Sequence, residues 1–228
     1  MSKNKKKEFD KYSKNYKRVL KNSFPKLLRN IDYYSEYKVQ KVFNLRKKLN
    51  TKSIMDFGCG IGLSHNFFFK YFPKIKLWGF DESLYSLKEA KKNNKNVMIV
   101  NNLKKIPKNY FDVIFVSNVF HHIDEKNHKN TLLHLKLFLK PNGSIYIFEH
   151  NKFNPITKII FSTHILDKNA KMVPVQNFYK LAKNCEMKLI KKKYILFFPS
   201  ILSFFNILDS ILEWLPLGAQ YLITLKKS

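Results

Sequence analysis

Short apolar segments alternate with helix-forming segments along most of this chain, and this alternation limits the folds that it can adopt. The apolar segments are nearly continuous in Val, Ile and Phe, and turn residues separate them from their neighbours. Such segments are typical of the strands of a parallel sheet that helices cover on both faces. The sequence therefore predicts a doubly wound α/β fold. The predicted strands are 53–57, 76–80, 96–100, 111–117 and 144–149, and the predicted helices between them are 62–72, 83–93 and 124–139.

The chain is strongly basic, and the type of cation decides what the charge implies. Its 228 residues suit one domain, and they carry a formal net charge of +27. Selection for phosphate contacts favours Arg, because its planar fork binds phosphate through two hydrogen bonds. Here the cations are nearly all Lys, and Arg occurs only at positions 18, 29 and 46. We interpret the charge as a coding bias toward AT-rich codons, with a role at nucleic acid or an anionic membrane as the alternative.

The cysteines and the first residues indicate the compartment. Cys59 and Cys185 do not make a disulfide framework, because Cys59 lies in a glycine-rich loop where a crosslink would obstruct a ligand. The opening segment MSKNKKKEFDKYSKN is charged and lacks the apolar core of a secretory signal. No apolar stretch reaches the roughly eighteen residues of a spanning helix. We expect a reduced, cytoplasmic protein, with the inner face of the membrane as a second location.

A glycine-rich loop follows the first predicted strand. In IMDFGCGIGLS, residues 54–64, Gly58, Gly60 and Gly62 permit positive φ and let a ligand approach the backbone. Their G-x-G-x-G spacing differs from the G-x-G-x-x-G of dinucleotide sites, and the Gly-Lys-Ser/Thr ending of a phosphate-binding loop is absent from this sequence. Asp56 adds a carboxylate, which would repel a pyrophosphate and attract an ammonium group. The loop therefore predicts a ligand with a cationic end.

A second acidic residue follows the loop. Asp81 directly follows the predicted strand KLWGF and lies about twenty residues after the glycine loop. This is the separation at which an acidic side chain reaches ribose hydroxyls. A carboxylate can accept charge-assisted hydrogen bonds from two hydroxyls. The alternative role for Asp81 is to cap the helix that begins near Ser83. In combination with the glycine loop, the ribose role is favoured.

Four segments of the chain have the order and spacing of a known enzyme family. They are IMDFGCGIGLS, GFDES, FDVIFVSNVFHHI and LKPNGSIYIFEH. Together they resemble the class I S-adenosylmethionine-dependent methyltransferases over roughly residues 50–150. The resemblance implies a Rossmann-like seven-stranded sheet, mostly parallel with an antiparallel last strand, and S-adenosyl-L-methionine as cofactor. This cofactor carries an α-ammonium and a sulfonium and no phosphate, which agrees with the position of Asp56.

The resemblance also implies a role for each part of the cofactor site. The loop from Asp56 to Gly62 would cradle the methionyl end, Asp81 would hold the ribose, and the end of the fourth strand would lie near the reactive methyl. The adenine loop of this family often carries an Asp, whereas this chain has VNNLKKIP there. The implied cofactor-binding residues are Asp56, Gly58, Cys59, Gly60, Gly62, Asp81, Glu82, Ser83, Asn102, Leu103, Ser117, Asn118 and His122.

Methyl transfer to a neutral hydroxyl also requires a group that removes its proton. His150 or Glu149, at the end of the fifth predicted strand, is the candidate base, and a structural hydrogen bond is the alternative role for His150. His121 and His122 are expected to pack over the cofactor. The remaining histidines are expected to be ordinary surface or helix residues, namely His65, His128, His134 and His164. Because no H-x-x-x-H or C-x-x-C spacing occurs, the sequence predicts no metal site.

The flanking segments are expected to choose the substrate. Residues 1–50 are predicted to form an N-terminal helical lid, and residues 51–228 the methyltransferase domain. A helix at 174–185 and a strand at 187–197 precede an apolar insertion at about 197–217, and a last strand follows at 219–225. The insertion either covers the core or forms a membrane-facing or lipid-binding flap. FDKYSKNY and FEHNKFNPIT resemble bacterial methyltransferases of polysaccharide, lipid and secondary-metabolite pathways.

The expected function is methyl transfer from S-adenosylmethionine to an oxygen of a small molecule, a sugar or a lipid-linked intermediate. Peripheral association with a membrane is a further expectation. A nucleic-acid methyltransferase and a non-catalytic S-adenosylmethionine-binding protein are the alternatives. Nucleic acid is disfavoured, because SNVFHH lacks the Asn/Asp-Pro-Pro-aromatic sequence that is typical of amino-N-methylating enzymes.

Overall fold

A seven-stranded sheet forms the centre of the computed structural model, which describes residues 28–164 and 167–228. The strands are β1 Ser53–Phe57, β2 Lys76–Phe80, β3 Met98–Val100, β4 Phe111–Ser117, β5 Leu139–His150, β6 Met187–Ile195 and β7 Gln220–Lys227. The α-helices of the described residues are α1 Ile31–Arg46, α2 His65–Tyr71, α3 Leu84–Asn93, α4 His128–Phe138, α5 Pro155–Thr163, α6 Val175–Asn184 and α7 Asp209–Leu212.

The sheet has the topology that the sequence predicts. Its strand order is β3-β2-β1-β4-β5-β7-β6. Neighbouring strands are parallel except at β7, which lies between β5 and β6 and runs antiparallel to both. The prediction of a mostly parallel, Rossmann-like sheet with an antiparallel last strand is confirmed. The strand order reverses between β1 and β4, and ligands of such sheets bind beyond the carboxyl ends of the strands at that point.

The two largest differences from the predicted bounds lie in one strand and one helix. The strand predicted at 144–149 begins earlier, since Phe111 already pairs with Leu139 before the register shifts to Val113 and Ser144. Gly143 permits this bulge, because a Cβ at that position would lie 2.8 Å from the carbonyl oxygen of Phe111. The helix predicted at 124–139 begins at His128, and the residues before it form a separate 3-10 turn.

The core consists of two apolar clusters, one on each face of the sheet. Along β4, Val113 and Phe115 point into one cluster, while Ile114 and Val116 point into the other. All four side chains are fully buried. Because successive side chains of a strand point to opposite faces, an uninterrupted apolar strand requires helices on both sides. Helices α4 and α6 cover the face of Ile114 and Val116, and helices α1 and α2 cover the face of Phe115.

Helix α1 belongs to this core and also contacts the apolar insertion. Its Val39 and Val42 are fully buried in the same cluster as β1. The insertion forms a 3-10 helix, Ser200–Leu208, followed by α7. The hydroxyl of Tyr37 in α1 donates a hydrogen bond to the buried carboxylate of Asp209 in α7. The lid predicted for residues 1–50 stays a prediction, and its first 27 residues lie outside the described part of the chain.

Replacing Tyr37 with Phe tests the link between α1 and the insertion. The change removes a donor from Asp209, whose side chain is 1% exposed and whose nearest ammonium, that of Lys41, is 3.6 Å away. A buried acceptor that loses its partner costs about 1–3 kcal/mol. We expect Tyr37→Phe to lower the free energy of unfolding by that amount in a denaturant titration. Tyr33→Phe, which removes a part-buried bond to Asn206, is the matched control, and an equal loss in both variants would contradict the prediction.

Candidate active site

A cavity of about 740 Å³ lies at the carboxyl ends of β1, β2, β4 and β5. It occupies the position at which the strand order reverses. Most of the residues that the sequence analysis assigned to the cofactor contribute to its wall. Those lining it are Asp56, Gly58, Cys59, Gly60, Asp81, Glu82, Leu103, Ser117, Asn118 and His122, together with His150.

The glycine loop has the conformation that its sequence requires. Gly58, Gly60 and Gly62 have φ of +75°, +53° and +77°. A Cβ at Gly62 would lie 2.5 Å from Nδ1 of His65, which is fully buried, whereas a Cβ at Gly60 would meet no atom within 4 Å. Gly62 therefore packs against the protein, and Gly60 faces open space in the cavity. A ligand can approach the backbone at Gly60.

Asp81 is tied to the loop and retains acceptor capacity. One carboxylate oxygen accepts from the backbone N–H of Gly60 and the other from that of Ser83, each at 2.9 Å. Burial raises the pKa of Asp81 to about 6, because it outweighs the two hydrogen bonds, which act to lower the pKa. The N-cap of α3 is Ser83, whose hydroxyl accepts from the N–H of Ser86 at 3.1 Å. Because a carboxylate has about four acceptor sites, Asp81 retains acceptor sites that its two backbone bonds do not use.

Four predicted site residues do not line the cavity. Gly62 packs against His65, and Ser83 caps α3. The side chain of Asn102 accepts from the N–H of Lys104 at 2.9 Å and so caps a short 3-10 turn, which leaves Leu103 as the residue of that loop in the wall. The fourth is Glu149, whose carboxylate is fully buried.

The carboxylate of Glu149 fixes the loop after β4. One oxygen accepts from the N–H groups of Val119 and Phe120 at 3.0 and 2.7 Å. The other lies 2.6 Å from Nδ1 of His121. Burial raises the pKa of Glu149, but the charge and hydrogen bond of His121 outweigh it and lower the pKa. The geometry suits an orienting group, because these partners of the carboxylate all belong to the loop after β4.

Histidines and an aspartate gather in the part of the cavity wall that the loop after β4, the end of β5 and the segment after α5 contribute. His121, His150 and Asp167 each offer a nitrogen or oxygen atom within 4.8 Å of the others. Nε2 of His121 and Nε2 of His122 each lie 3.4 Å from the same oxygen of Asp167. Nδ1 of His164 lies 3.0 Å from the second oxygen. We call His121, His150 and Asp167 the histidine cluster.

The cluster differs from what the sequence analysis expected of its members. His164 is 5% exposed and contacts Asp167, so the expectation of an ordinary surface or helix residue was wrong. His65 and His128 are buried, and each is the first residue of a helix, α2 and α4, which agrees with the expectation of a helix residue. Burial lowers the pKa of His121, but Glu149 and Asp167 outweigh it and raise the pKa to about 9. Burial and the neighbouring charge of His121 lower the pKa of His150 to about 4.

A buried lysine lies between the two ends of the cavity. Nζ of Lys38, from α1, donates to Oγ of Ser117 at 2.9 Å, and the residue is 6% exposed. Burial lowers the pKa of Lys38 to about 8, while Glu149 and Asp56 act to raise it. The sequence analysis missed this residue, because one Lys among so many carries no distinguishing pattern. Its position on the inward face of α1 was the one available signal.

The comparisons with known proteins agree with this geometry. Residues 55–147 match the family described as "Methyltransferase domain". Over these residues, which are less than half of the chain, the sequence is similar to a methyltransferase domain. No curated protein matches the sequence.

Solved structures extend the likeness in fold to nearly the whole chain. A S-adenosylmethionine-dependent methyltransferase from Archaeoglobus fulgidus has a TM-score of 0.67 and 17% identity, over 88% of this chain and 96% of that one. A possible histamine N-methyltransferase from Thermotoga maritima has a TM-score of 0.70 and 17% identity, over 98% and 100%. The plantazolicin methyltransferase in complex with S-adenosylhomocysteine has a TM-score of 0.67 and 19% identity, over 98% and 95%.

The residues around the glycine loop fit S-adenosylmethionine, the cofactor of the similar methyltransferases. Gly60 leaves open space beside its backbone, and the remaining acceptor sites of Asp81 suit ribose hydroxyls. Asp56 lines the same wall and suits a cationic ligand. The adenine end would meet Leu103 and Glu82 rather than Asn102 and Ser83, since only the former pair lines the cavity.

Substituting the loop glycines tests which of them packs against the protein. Both Gly60→Ala and Gly62→Ala place a Cβ at positive φ, at a cost of about 1–2 kcal/mol. Gly62→Ala also forces a contact with the buried ring of His65, so we expect it to lower the free energy of unfolding further than Gly60→Ala does. Denaturant titration without cofactor measures both. An equal loss of unfolding free energy in the two variants would show that the ring of His65 moves aside without destabilising the protein.

The raised pKa of Asp81 predicts a pH dependence of cofactor binding. Protonation removes the charge and an acceptor site that ribose hydroxyls would use, so affinity should fall as pH drops through about 6. For a single proton the fall approaches about tenfold per pH unit. Calorimetry with S-adenosylhomocysteine between neutral and acidic pH measures it. Asp81→Asn should bind weakly and without this dependence, and wild-type affinity that stays constant across the range would contradict the role of Asp81.

Proposed function

We propose that this methyltransferase transfers the methyl group of S-adenosylmethionine to an oxygen atom of a small molecule, a sugar or a lipid-linked intermediate. The observation that carries the proposal is that the glycine loop and the histidine cluster line one continuous cavity. The cofactor supplies an electrophilic methyl group on a sulfonium. At the opposite end, the cluster offers groups that suit the proton of an acceptor hydroxyl.

Each part of the cavity has a proposed task in this reaction. The glycine loop, Asp56 and Asp81 hold and orient the cofactor, and positioning of this kind contributes up to about 7–11 kcal/mol in favourable cases. His150, predicted from the sequence as a base, acts in the proposal as part of the histidine cluster. Glu149 was the other predicted base. It is proposed instead as a positioning residue, because it does not line the cavity and its oxygens already meet Val119, Phe120 and His121.

The surface around the mouth of the cavity supports an acceptor with an apolar part. Ile156 and Pro199 line the cavity, and they belong to two exposed apolar segments. The two segments lie side by side, since the side chain of Asn154 donates to the carbonyl oxygen of Leu217 at 2.6 Å. The exposed large apolar side chains of these segments are Phe153, Ile156, Ile159, Ile201, Leu202, Phe204, Phe205, Ile207, Leu208, Ile211, Trp214 and Leu217.

An apolar rim of this extent is typical of a surface that meets a lipid or another apolar partner. It supports a lipid-linked acceptor and peripheral association with a membrane over a purely polar sugar. None of the helices in the described ranges combines the length and the apolarity that crossing a bilayer would require. Two of the similar structures are named for plantazolicin and for histamine, which supports an acceptor other than nucleic acid.

Labelling tests the proposal. The protein is incubated with S-adenosylmethionine that carries a radioactive methyl group and with a fractionated extract of the source cells. We expect label in the lipid or glycan fraction, and none with Asp81→Ala, which should not bind the cofactor. Label confined to RNA would favour the nucleic-acid alternative. Cofactor binding without label in any fraction would favour the non-catalytic alternative.

A variant of the histidine cluster tests the acceptor end separately. We expect His150→Ala to bind S-adenosylhomocysteine as the wild type does and to slow transfer by about 10²–10⁴-fold, the usual contribution of a group that handles a proton. Calorimetry and the labelling rate measure the two effects. His134→Ala, in an exposed residue of the same cavity wall, is the control. Unchanged transfer by His150→Ala would remove His150 from the reaction.

A further inference from the structure

We propose that the histidine cluster, His121, His150 and Asp167, binds a divalent transition-metal ion of the zinc type at the acceptor end of the cavity. The inference deepens the proposed function, since the ion would act on the acceptor that the function requires. The three residues lie far apart in the sequence, and the ends of β4 and β5 and the segment after α5 bring their ligand atoms within 4.8 Å of one another.

The distance between His121 and Asp167 fits a coordination polyhedron better than a hydrogen bond. Nε2 of His121 and Nε2 of His122 each lie 3.4 Å from the same Asp167 oxygen, which is beyond the usual range for an N–H···O bond of about 2.7–3.2 Å. In a tetrahedral site with bonds of about 2.0–2.1 Å, neighbouring ligand atoms are separated by about 3.3–3.4 Å. An ion could therefore bridge His121 and Asp167 with little movement, and His150, whose ligand atom lies within 4.8 Å of both, would move closer to complete the site.

The cluster also has the supporting carboxylate that histidine ligands usually have. Metal-binding histidines generally donate their second ring nitrogen to a carboxylate or carbonyl, which fixes the tautomer and the ring orientation. Nδ1 of His121 lies 2.6 Å from the buried carboxylate of Glu149. With its proton on Nδ1, His121 presents the lone pair of Nε2 toward Asp167. Two acceptors that face each other at 3.4 Å call for a cation between them, either a proton or a metal ion.

The donor set selects the class of ion. Two imidazole nitrogens and a carboxylate oxygen suit Zn²⁺, Fe²⁺ or Co²⁺, whereas Mg²⁺ and Ca²⁺ prefer oxygen ligands throughout. Three protein ligands leave a position open, as in catalytic rather than structural zinc sites. That position would face the cavity that His121 and His150 line. An acceptor hydroxyl bound there would lose its proton more readily, because a metal ion lowers the pKa of a bound hydroxyl or water.

Metal binding to the full chain tests the inference without reference to activity. The protein is stripped with a chelator and titrated with Co²⁺, whose visible absorption reports coordination by nitrogen and oxygen in a site of low symmetry. Zn²⁺ content after dialysis gives the stoichiometry. We expect a single ion per chain, and His150→Asn and Asp167→Asn should lose it. Glu149→Gln, which removes the orienting group alone, should weaken binding about 10–100-fold.

His134→Asn is the matched control, since His134 lines the same cavity but lies outside the histidine cluster. Circular dichroism of every variant confirms that it is folded. Failure of the wild type to bind either ion, or equal loss in His134→Asn, overturns the metal site and leaves a protonated His121 between Glu149 and Asp167 as the explanation. Methyl transfer that persists in metal-free protein overturns the role of the ion but not the proposed function. An ion bound without transfer to any acceptor overturns the proposed function but not the site.

Discussion

The buried carboxylate of Glu149 is the interaction on which the acceptor end of this protein depends. A carboxylate removed from water is unfavourable unless donors surround it. Here the donors are two backbone N–H groups and the ring of His121, all from the loop that follows β4. Because Glu149 belongs to β5, the bonds hold that loop against the neighbouring strand. His121 and His122 are thereby placed beside His150, one residue beyond Glu149.

The two ends of the cavity are built by different means. At the cofactor end, the loop of three glycines and Asp81 belong to consecutive elements, and their contacts are hydrogen bonds between neighbouring strand ends. At the acceptor end, the groups come from β4, β5 and the segment after α5, and charged side chains determine the arrangement. Lys38 lies between the two ends and places a cation near Asp56 and Glu149. The resulting cavity has carboxylates where the proposal places a cationic cofactor and ring nitrogens where it places an acceptor.

The sequence predicted the fold and the conformation of the glycine loop well, for a physical reason. Strands with apolar residues on both faces and glycines at positive φ are local requirements, so they leave a local pattern in the chain. Asn102 and Ser83 were assigned to the adenine, but each of them caps a helix or turn, which is the other role of such residues. That choice depends on side-chain direction, which spacing does not specify.

The acceptor end could not be predicted in the same way. His121, His164 and Asp167 meet only because α5 returns over the ends of β4 and β5, and no short motif joins them. The sequence contains no H-x-x-x-H or C-x-x-C spacing, but such spacing reveals only ligands that are close in sequence. It carries no information on ligands that the fold brings together from distant segments. Likewise, Lys38 is distinguished from the other lysines by its burial and its bond to Ser117, and both are tertiary properties.

The position of β7 has a consequence for the order in which the chain folds. Among the parallel strands β1 to β5, each neighbouring pair except β1 and β4 is consecutive in the sequence, whereas β7 must insert between β5 and β6. In its pairing with β5, Leu225 lies opposite Ile145. The chain between these two residues must therefore close into a long loop for the contacts between β5 and β7 to form. Non-local pairing of this kind slows folding. The β6–β7 hairpin should therefore dock late, and until it does the edge of β5 and the apolar residues around it stay open to other chains.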